Sequence, residues 1–204
     1  TVAMACLVVA VLGKSAQVPF QDWLPDAMAG PTPASALIHA ATMVAAGTVV
    51  LAQLAPLLAL AAGAQWLLAV SVSVTMLLGA ALAFGQSDLK ALLAWSTVSQ
   101  VAIMLAPLAV LGAVVDAGAA ALFHLYAHAL FKALLFLTLG WLSLAIHSTL
   151  ADRLQGTARR RLSQAAVVVG LAALAGLPLV VGGWSKELVL ARGPDPADLA
   201  EAGG

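Results

Sequence analysis

AGAAALFHLYAHALFKALLFLTLGWLSLAI runs from Ala117 to Ile146, and its one formal charge is Lys132. A helix that crosses a bilayer needs about 20 mostly apolar residues, and this run is longer than that. The pattern extends upstream. No Asp, Glu, Lys or Arg occurs between Asp26 and Asp88, a stretch long enough for two more spans. Breaks at Pro, Gly and polar clusters divide the chain into predicted spans at Val2–Trp23, Ala34–Ala55, Trp66–Phe84, Leu89–Val110, Ala117–Ile146 and Leu162–Trp184. Pro25, Pro31 and Pro33 punctuate the first two, and Pro178 interrupts the last.

Composition agrees with this reading. The 204 residues are 63% hydrophobic and 9% charged, with a mean hydropathy of +1.04, whereas soluble domains carry about 25% charged residues. A soluble fold and a disordered chain are both excluded. A transmembrane β-barrel would alternate apolar and polar residues, and this sequence does not. Nine Lys and Arg balance nine Asp and Glu, so no basic surface for nucleic acid exists. Cys6 stands alone, which rules out a disulfide framework or a thiolate cluster. There is no glycine-rich nucleotide loop and no Walker motif, so any redox chemistry served by this chain lies elsewhere. The expected class is an all-α polytopic membrane bundle with lipid as its surroundings.

Arg153, Arg159, Arg160 and Arg161 fall together between the fifth and sixth spans, and Arg-rich short loops stay cytoplasmic. Counting back puts the loops near Pro31 and Ser87 on that side. The first span lacks the basic leader of a signal peptide, and Thr1 in place of Met leads us to expect part of a longer protein. The segment 187–204 is expected to be a loop or truncated tail. An Ala-rich composition suggests a bacterial plasma membrane.

The cations divide by type. Every Arg lies in a predicted loop or tail, whereas Lys14, Lys90, Lys132 and Lys186 lie within or beside apolar segments. Guanidinium keeps its proton almost anywhere, but burial lowers an amine's pKa by about 3–5 units. Placing a charge at a helix centre costs about 2.5–3.5 kcal/mol, so such residues mark ion or proton paths by default. Lys90, close behind Ser87-Asp88, also suits a side chain that snorkels to the headgroups. Lys132 is too far from either end of its span for that.

His124, His128 and Lys132 recur every fourth residue and so share one helical face, while Tyr126 points elsewhere. Imidazole titrates near neutrality and suits proton relay. The pair could instead hold zinc, but no Glu stands between them as the general base of that motif. A structural role for one histidine stays open. His39 follows the Pro31–Pro33 break, and broken helices in transporters border polar cavities. Lys186 follows Gly182-Gly183-Trp184-Ser185 at the end of the last span. Asp22, Asp26 and Asp116 are read as solvated span ends.

Four ordered blocks carry a family resemblance. They are Gly13-Lys14-Ser15 through Trp23-Leu24-Pro25-Asp26 to Pro33 and Ser35-Ala36-Leu37-Ile38-His39; Asp88-Leu89-Lys90 with Ser96-Thr97-Val98-Ser99-Gln100; His124, His128 and Phe131-Lys132-Ala133; and Leu177-Pro178 with Ser185-Lys186. Together they resemble the antiporter-like membrane subunits of respiratory complex I, the large distal subunit above all.

The resemblance implies inverted five-helix repeats, each with a discontinuous helix. Val2–Trp23 would be the seventh family helix and Leu162–Trp184 the start of the twelfth, both broken. It further implies a proton pathway through Lys14, His39, Lys90, His124, His128, Lys132 and Lys186, coupled to electron transfer in other subunits. NADH, flavin, iron–sulfur clusters and quinone would belong to those subunits, with none in this chain and no metal. The implied partners are other membrane subunits of the complex. The family's fifth-helix glutamate, partner of the Lys14 counterpart, would lie upstream of Thr1. Trp95 and Gly183-Trp184 depart from the family's aromatic pattern. A multisubunit Na+/H+ antiporter subunit, a membrane subunit of an inorganic-carbon uptake complex, and a non-transporting scaffold or gene fragment remain alternatives.

Overall fold

The computed structural model describes residues 2–40, 42–110, 117–146, 148–154 and 161–191. Among them every regular element is helical. In order these are α1 (Val2–Lys14), α2 (Trp23–Asp26), a 3₁₀ turn at Ala27–Ala29, α3 (Thr32–Ala40), α4 (Ala46–Gln53), α5 (Ala55–Ala59) and α6 (Ala62–Phe84). They continue with α7 (Leu89–Val110), α8 (Ala117–Ile146), α9 (Ala151–Leu154), α10 (Arg161–Ala175) and α11 (Val181–Ala191). Three of them, α6, α7 and α8, are long and apolar enough to cross a bilayer unaided.

α8 is the hub, packed against α3, α4, α7, α10 and α11. α6 and α7 form a tight pair. A Cβ on Gly79 would lie 2.9 Å from the Ser99 amide nitrogen, so only glycine lets the helices approach this closely. Two apolar clusters fill the interior. One reaches α8 at Ala117 and Ala121, the other at Leu135, Phe136 and Leu139, and His124, His128 and Lys132 occupy the gap between them. The outside is apolar too, and Trp66, Phe84 and Trp141 stand exposed toward span ends, where aromatic rings meet headgroups.

Three predicted spans are broken. The first ends at Lys14 and resumes at Trp23, so its interruption falls upstream of Pro25, which sits inside α2. Lipid cannot solvate the freed backbone groups, and α6 does so instead. Val18 N donates to Thr75 Oγ1 at 2.9 Å, and Ser71 Oγ donates to the Val18 carbonyl. The expected second span is divided as well, between α3 and α4, at residues that contain no proline. Pro31 and Pro33 mark the start of α3, where proline is tolerated, and do not break it.

The last break does fall at Pro178. α10 closes on Gly176 at φ +88°, with Leu177 N bonded to the Ala172 carbonyl at 3.0 Å and Gly176 N to Ala173 at 3.2 Å. This is the left-handed cap that glycine favours, and Pro178 then stops the helix from continuing. α11 runs to Ala191, so the first residues of the expected 187–204 tail are helical. The remainder of that tail and Asp116 lie outside the described residues.

Turns predicted to share one side of the membrane do meet. Leu89 N bonds the Thr149 carbonyl at 3.0 Å and Ala151 N the Ser87 carbonyl at 3.1 Å. Asp88 caps α7 by accepting from Lys90 N at 2.7 Å and Ala91 N at 3.2 Å, and its other oxygen accepts from the Thr149 hydroxyl.

Candidate functional site

Helical spacing alone puts His124, His128 and Lys132 on one face of α8, and the fold turns that face inward. Their side chains are 0%, 1% and 0% exposed, while Tyr126, off that face, is 60% exposed. Each reaches a different neighbour. Lys132 Nζ donates to the Leu93 carbonyl at 2.8 Å and Ser96 Oγ at 2.6 Å, both on α7. His128 Nδ1 meets the Ala40 carbonyl, at the end of α3, at 3.3 Å. His124 bridges two helices, with Nε2 at 3.1 Å from Gln100 Oε1 on α7 and Nδ1 at 2.8 Å from Ser185 Oγ on α11.

Beyond α8, the ionisable groups gather where helices break. A helix that stops leaves carbonyls unpaired and carries partial negative charge at its end, which favours cations. Lys186 Nζ takes the Leu174 carbonyl in the last turn of α10. Lys90 Nζ takes the Met28 and Gly30 carbonyls at 2.7 and 2.8 Å, beside the 3₁₀ turn. It is turned into the fold, and the snorkelling alternative is set aside. Among the described residues no carboxylate pairs with any of these amines; backbone carbonyls hold Lys90 and Lys186, and a carbonyl together with the Ser96 hydroxyl holds Lys132.

His39 is 0% exposed on α3, its ring 5.2 Å from Phe136. Among the described residues neither ring nitrogen has a hydrogen-bond partner, and His128 Nε2 also lacks one.

Lys14 differs from the rest. It ends α1 with an exposed side chain and makes no side-chain hydrogen bond among the described residues. α1 packs on α4 and α6, and Lys14 lies outside that packing as an exposed residue. The first break is tied instead to the second, because Ser15 Oγ donates to the Val44 carbonyl at 2.9 Å. Asp22 and Asp26 are exposed, in keeping with solvated ends.

Both nitrogens of His124 are already engaged, and no three His, Cys, Asp or Glu side chains converge among the described residues. Ser96, Gln100 and Ser185 join the site as uncharged residues, a role that formal charge does not reveal. Polar residues inside otherwise apolar spans were the available signal. A cavity of about 490 Å3 beside α7 is lined by Ser96, Ser99 and Gln100 together with apolar residues of α6 and α10.

A lipid-facing bundle with broken helices and a buried row of amines and imidazoles defines a multi-pass membrane protein of the antiporter-like class. Comparison with known proteins makes the assignment particular. Residues 1–195 match the family model described as NADH:quinone oxidoreductase/Mrp antiporter, TM, and the chain belongs to that family. It is 45% identical over 193 residues to NADH-quinone oxidoreductase subunit L of Pseudomonas aeruginosa, covering 93% of this chain and 31% of that protein. Subunit L of Escherichia coli is 46% identical over 183 residues, covering 88% and 29%. The chain thus spans about three-tenths of the length of these relatives.

Among solved structures, the Mrp complex from Dietzia sp. matches with a TM-score of 0.82 and 37% identity, covering 98% of this chain and 22% of that one. The membrane-bound sulfane sulfur reductase, an archaeal respiratory complex, shares the fold with a TM-score of 0.83 at 24% identity, covering 98% and 42%.

Proposed function

We propose that this chain is the central part of a proton-translocating membrane subunit of an NADH:quinone oxidoreductase. The observation that carries the reading is the buried row His124, His128 and Lys132, whose members contact α3, α7 and α11 in turn. Lys90, His39 and Lys186 extend it at the helix breaks. The identity to subunit L proteins supports the choice of parent complex.

In this mechanism a charge change at one member alters the proton affinity of the next. Two unit charges about 4 Å apart interact by about 4 kcal/mol at an effective dielectric near 20, equal to roughly three pKa units. Lys90, Lys132 and Lys186 each rest on at least one backbone carbonyl oxygen, which holds an ammonium without neutralising it. No redox centre is assigned to this chain; NADH, flavin, iron–sulfur clusters and quinone belong to other subunits, and other membrane subunits are its partners. The membrane is the bacterial plasma membrane, with the Ser87 and Thr149 turns cytoplasmic. Lys14 enters the pathway only with a carboxylate supplied from outside this chain.

A second reading, a subunit of an Mrp-type Na+/H+ antiporter, draws on the 37% identity to the Dietzia Mrp complex. The two separate in proteoliposomes holding the full-length protein in its complex. NADH-driven proton uptake that needs quinone and ignores sodium supports the first. Sodium-dependent proton exchange without NADH or quinone supports the second.

A further inference from the structure

Ser185 stands at the start of α11, fully buried, and its Oγ has two partners. One is His124 Nδ1 at 2.8 Å, and the other is the carbonyl of Gly182 at 3.1 Å, one turn back on α11. A hydroxyl has one hydrogen to donate and lone pairs to accept with, so it cannot donate to both at once. On the other side of the ring, His124 Nε2 lies 3.1 Å from Gln100 Oε1, and with the amide oriented this way Nε2 is the N–H in either charge state. Everything that changes with protonation is therefore confined to Nδ1 and Ser185.

We propose that Ser185 is a positioning residue for proton transfer at His124, its hydroxyl turning between His124 Nδ1 and the Gly182 carbonyl as the imidazole changes charge. With His124 neutral, Ser185 O–H donates to the Nδ1 lone pair. When the hydroxyl turns to Gly182, that lone pair is bared and takes a proton arriving along the row. Nδ1–H then donates to Oγ. The imidazole gains one positive charge, Ser185 stays neutral, and neither Nδ1 nor Oγ is left without a hydrogen bond in either state. An unpaired buried group would otherwise oppose one of the two states. The device also links the charge on α8 to the first turn of α11, next to Lys186. The transport role rests on the proton-translocating reading above, but the hydrogen-bond switch does not.

The test uses the full-length protein, labelled with 15N-histidine, in liposomes. Difference spectra against a His124→Asn variant assign the ring. Neutral His124 is expected with Nε2 protonated and Nδ1 accepting a hydrogen bond. Ser185→Ala should move the Nδ1 resonance to the position of a free imidazole nitrogen, and Ser185→Thr should restore it. In the assembled complex Ser185→Ala should slow proton transfer roughly tenfold, as losing about one hydrogen bond in the charged state implies, with Ser185→Thr near wild type. If Ser185→Ala does not assemble, Ser185→Cys, a weaker donor, should give an intermediate shift and rate. A His124 spectrum unchanged by these variants, or an Nδ1–H tautomer in the neutral protein, overturns the switch. A shifted spectrum with unchanged transfer overturns its role in transport. Absence of transport in the wild-type complex would sink the functional reading, while the spectra would still judge the switch.

Discussion

Lys132 on α8 and Leu93 on α7 are joined directly, ammonium to backbone carbonyl at 2.8 Å, and Ser96 adds a second acceptor to the same amine. The pairing gives a buried titratable group two neutral oxygens as its hydrogen-bond partners among the described residues. A carboxylate there would fix the charge, whereas carbonyl and hydroxyl oxygens leave it adjustable.

Lys132→Arg separates charge from proton exchange. Guanidinium retains its proton in essentially any protein setting. The variant complex should assemble and transfer electrons yet lose proton translocation. Quinone reduction measured alongside proton release in proteoliposomes checks this.

Lys90 should behave more like an anchor than Lys132 does. Lys90→Met strands the carbonyls of Met28 and Gly30, and each buried unpaired group costs about 1–3 kcal/mol. The expected result is a lower thermal unfolding midpoint for the full-length protein in detergent, with faster hydrogen exchange around residues 27–35.

The Ser15–Val44 hydrogen bond joins the first two breaks, and Gly47 lets them approach. A Cβ at Gly47 would overlap Ser15 Oγ and lie 2.8 Å from Val11 Cγ1. Gly47→Ala should therefore cost about 1–3 kcal/mol through overpacking. Ser15→Ala should cost only about 1 kcal/mol. Denaturation of the two variants side by side gives the ranking.

Among the described residues neither ring nitrogen of His39 has a hydrogen-bond partner. His39→Leu removes the unpaired atoms while keeping an apolar side chain against Phe136. Thermal stability should hold or rise while proton transfer slows, a combination that a purely structural histidine would not produce.

The legible part of this fold followed from length and period. α7 and α8 begin and end where their apolar runs do, and a four-residue spacing was enough to stack His124, His128 and Lys132. The division between α3 and α4 was hidden because neither proline nor charge marks it. Thr42 alone signals the turn, its amide and hydroxyl both on the Leu37 carbonyl at 3.3 and 2.8 Å. The exposure of Lys14 depends on what packs beside α1, which its own helix does not encode. Gln100 and Ser185 reach His124 from far along the chain, so their polarity inside apolar spans is visible locally but their partner is not.

The central claim is that the buried α8 row carries the transported proton. The most direct measurement is the ratio of protons moved to electrons transferred in the intact complex bearing Lys132→Met, a substitution close to the lysine stem in shape. The account predicts a complex that assembles and reduces quinone with a clearly lowered ratio. A wild-type ratio in that variant would contradict it.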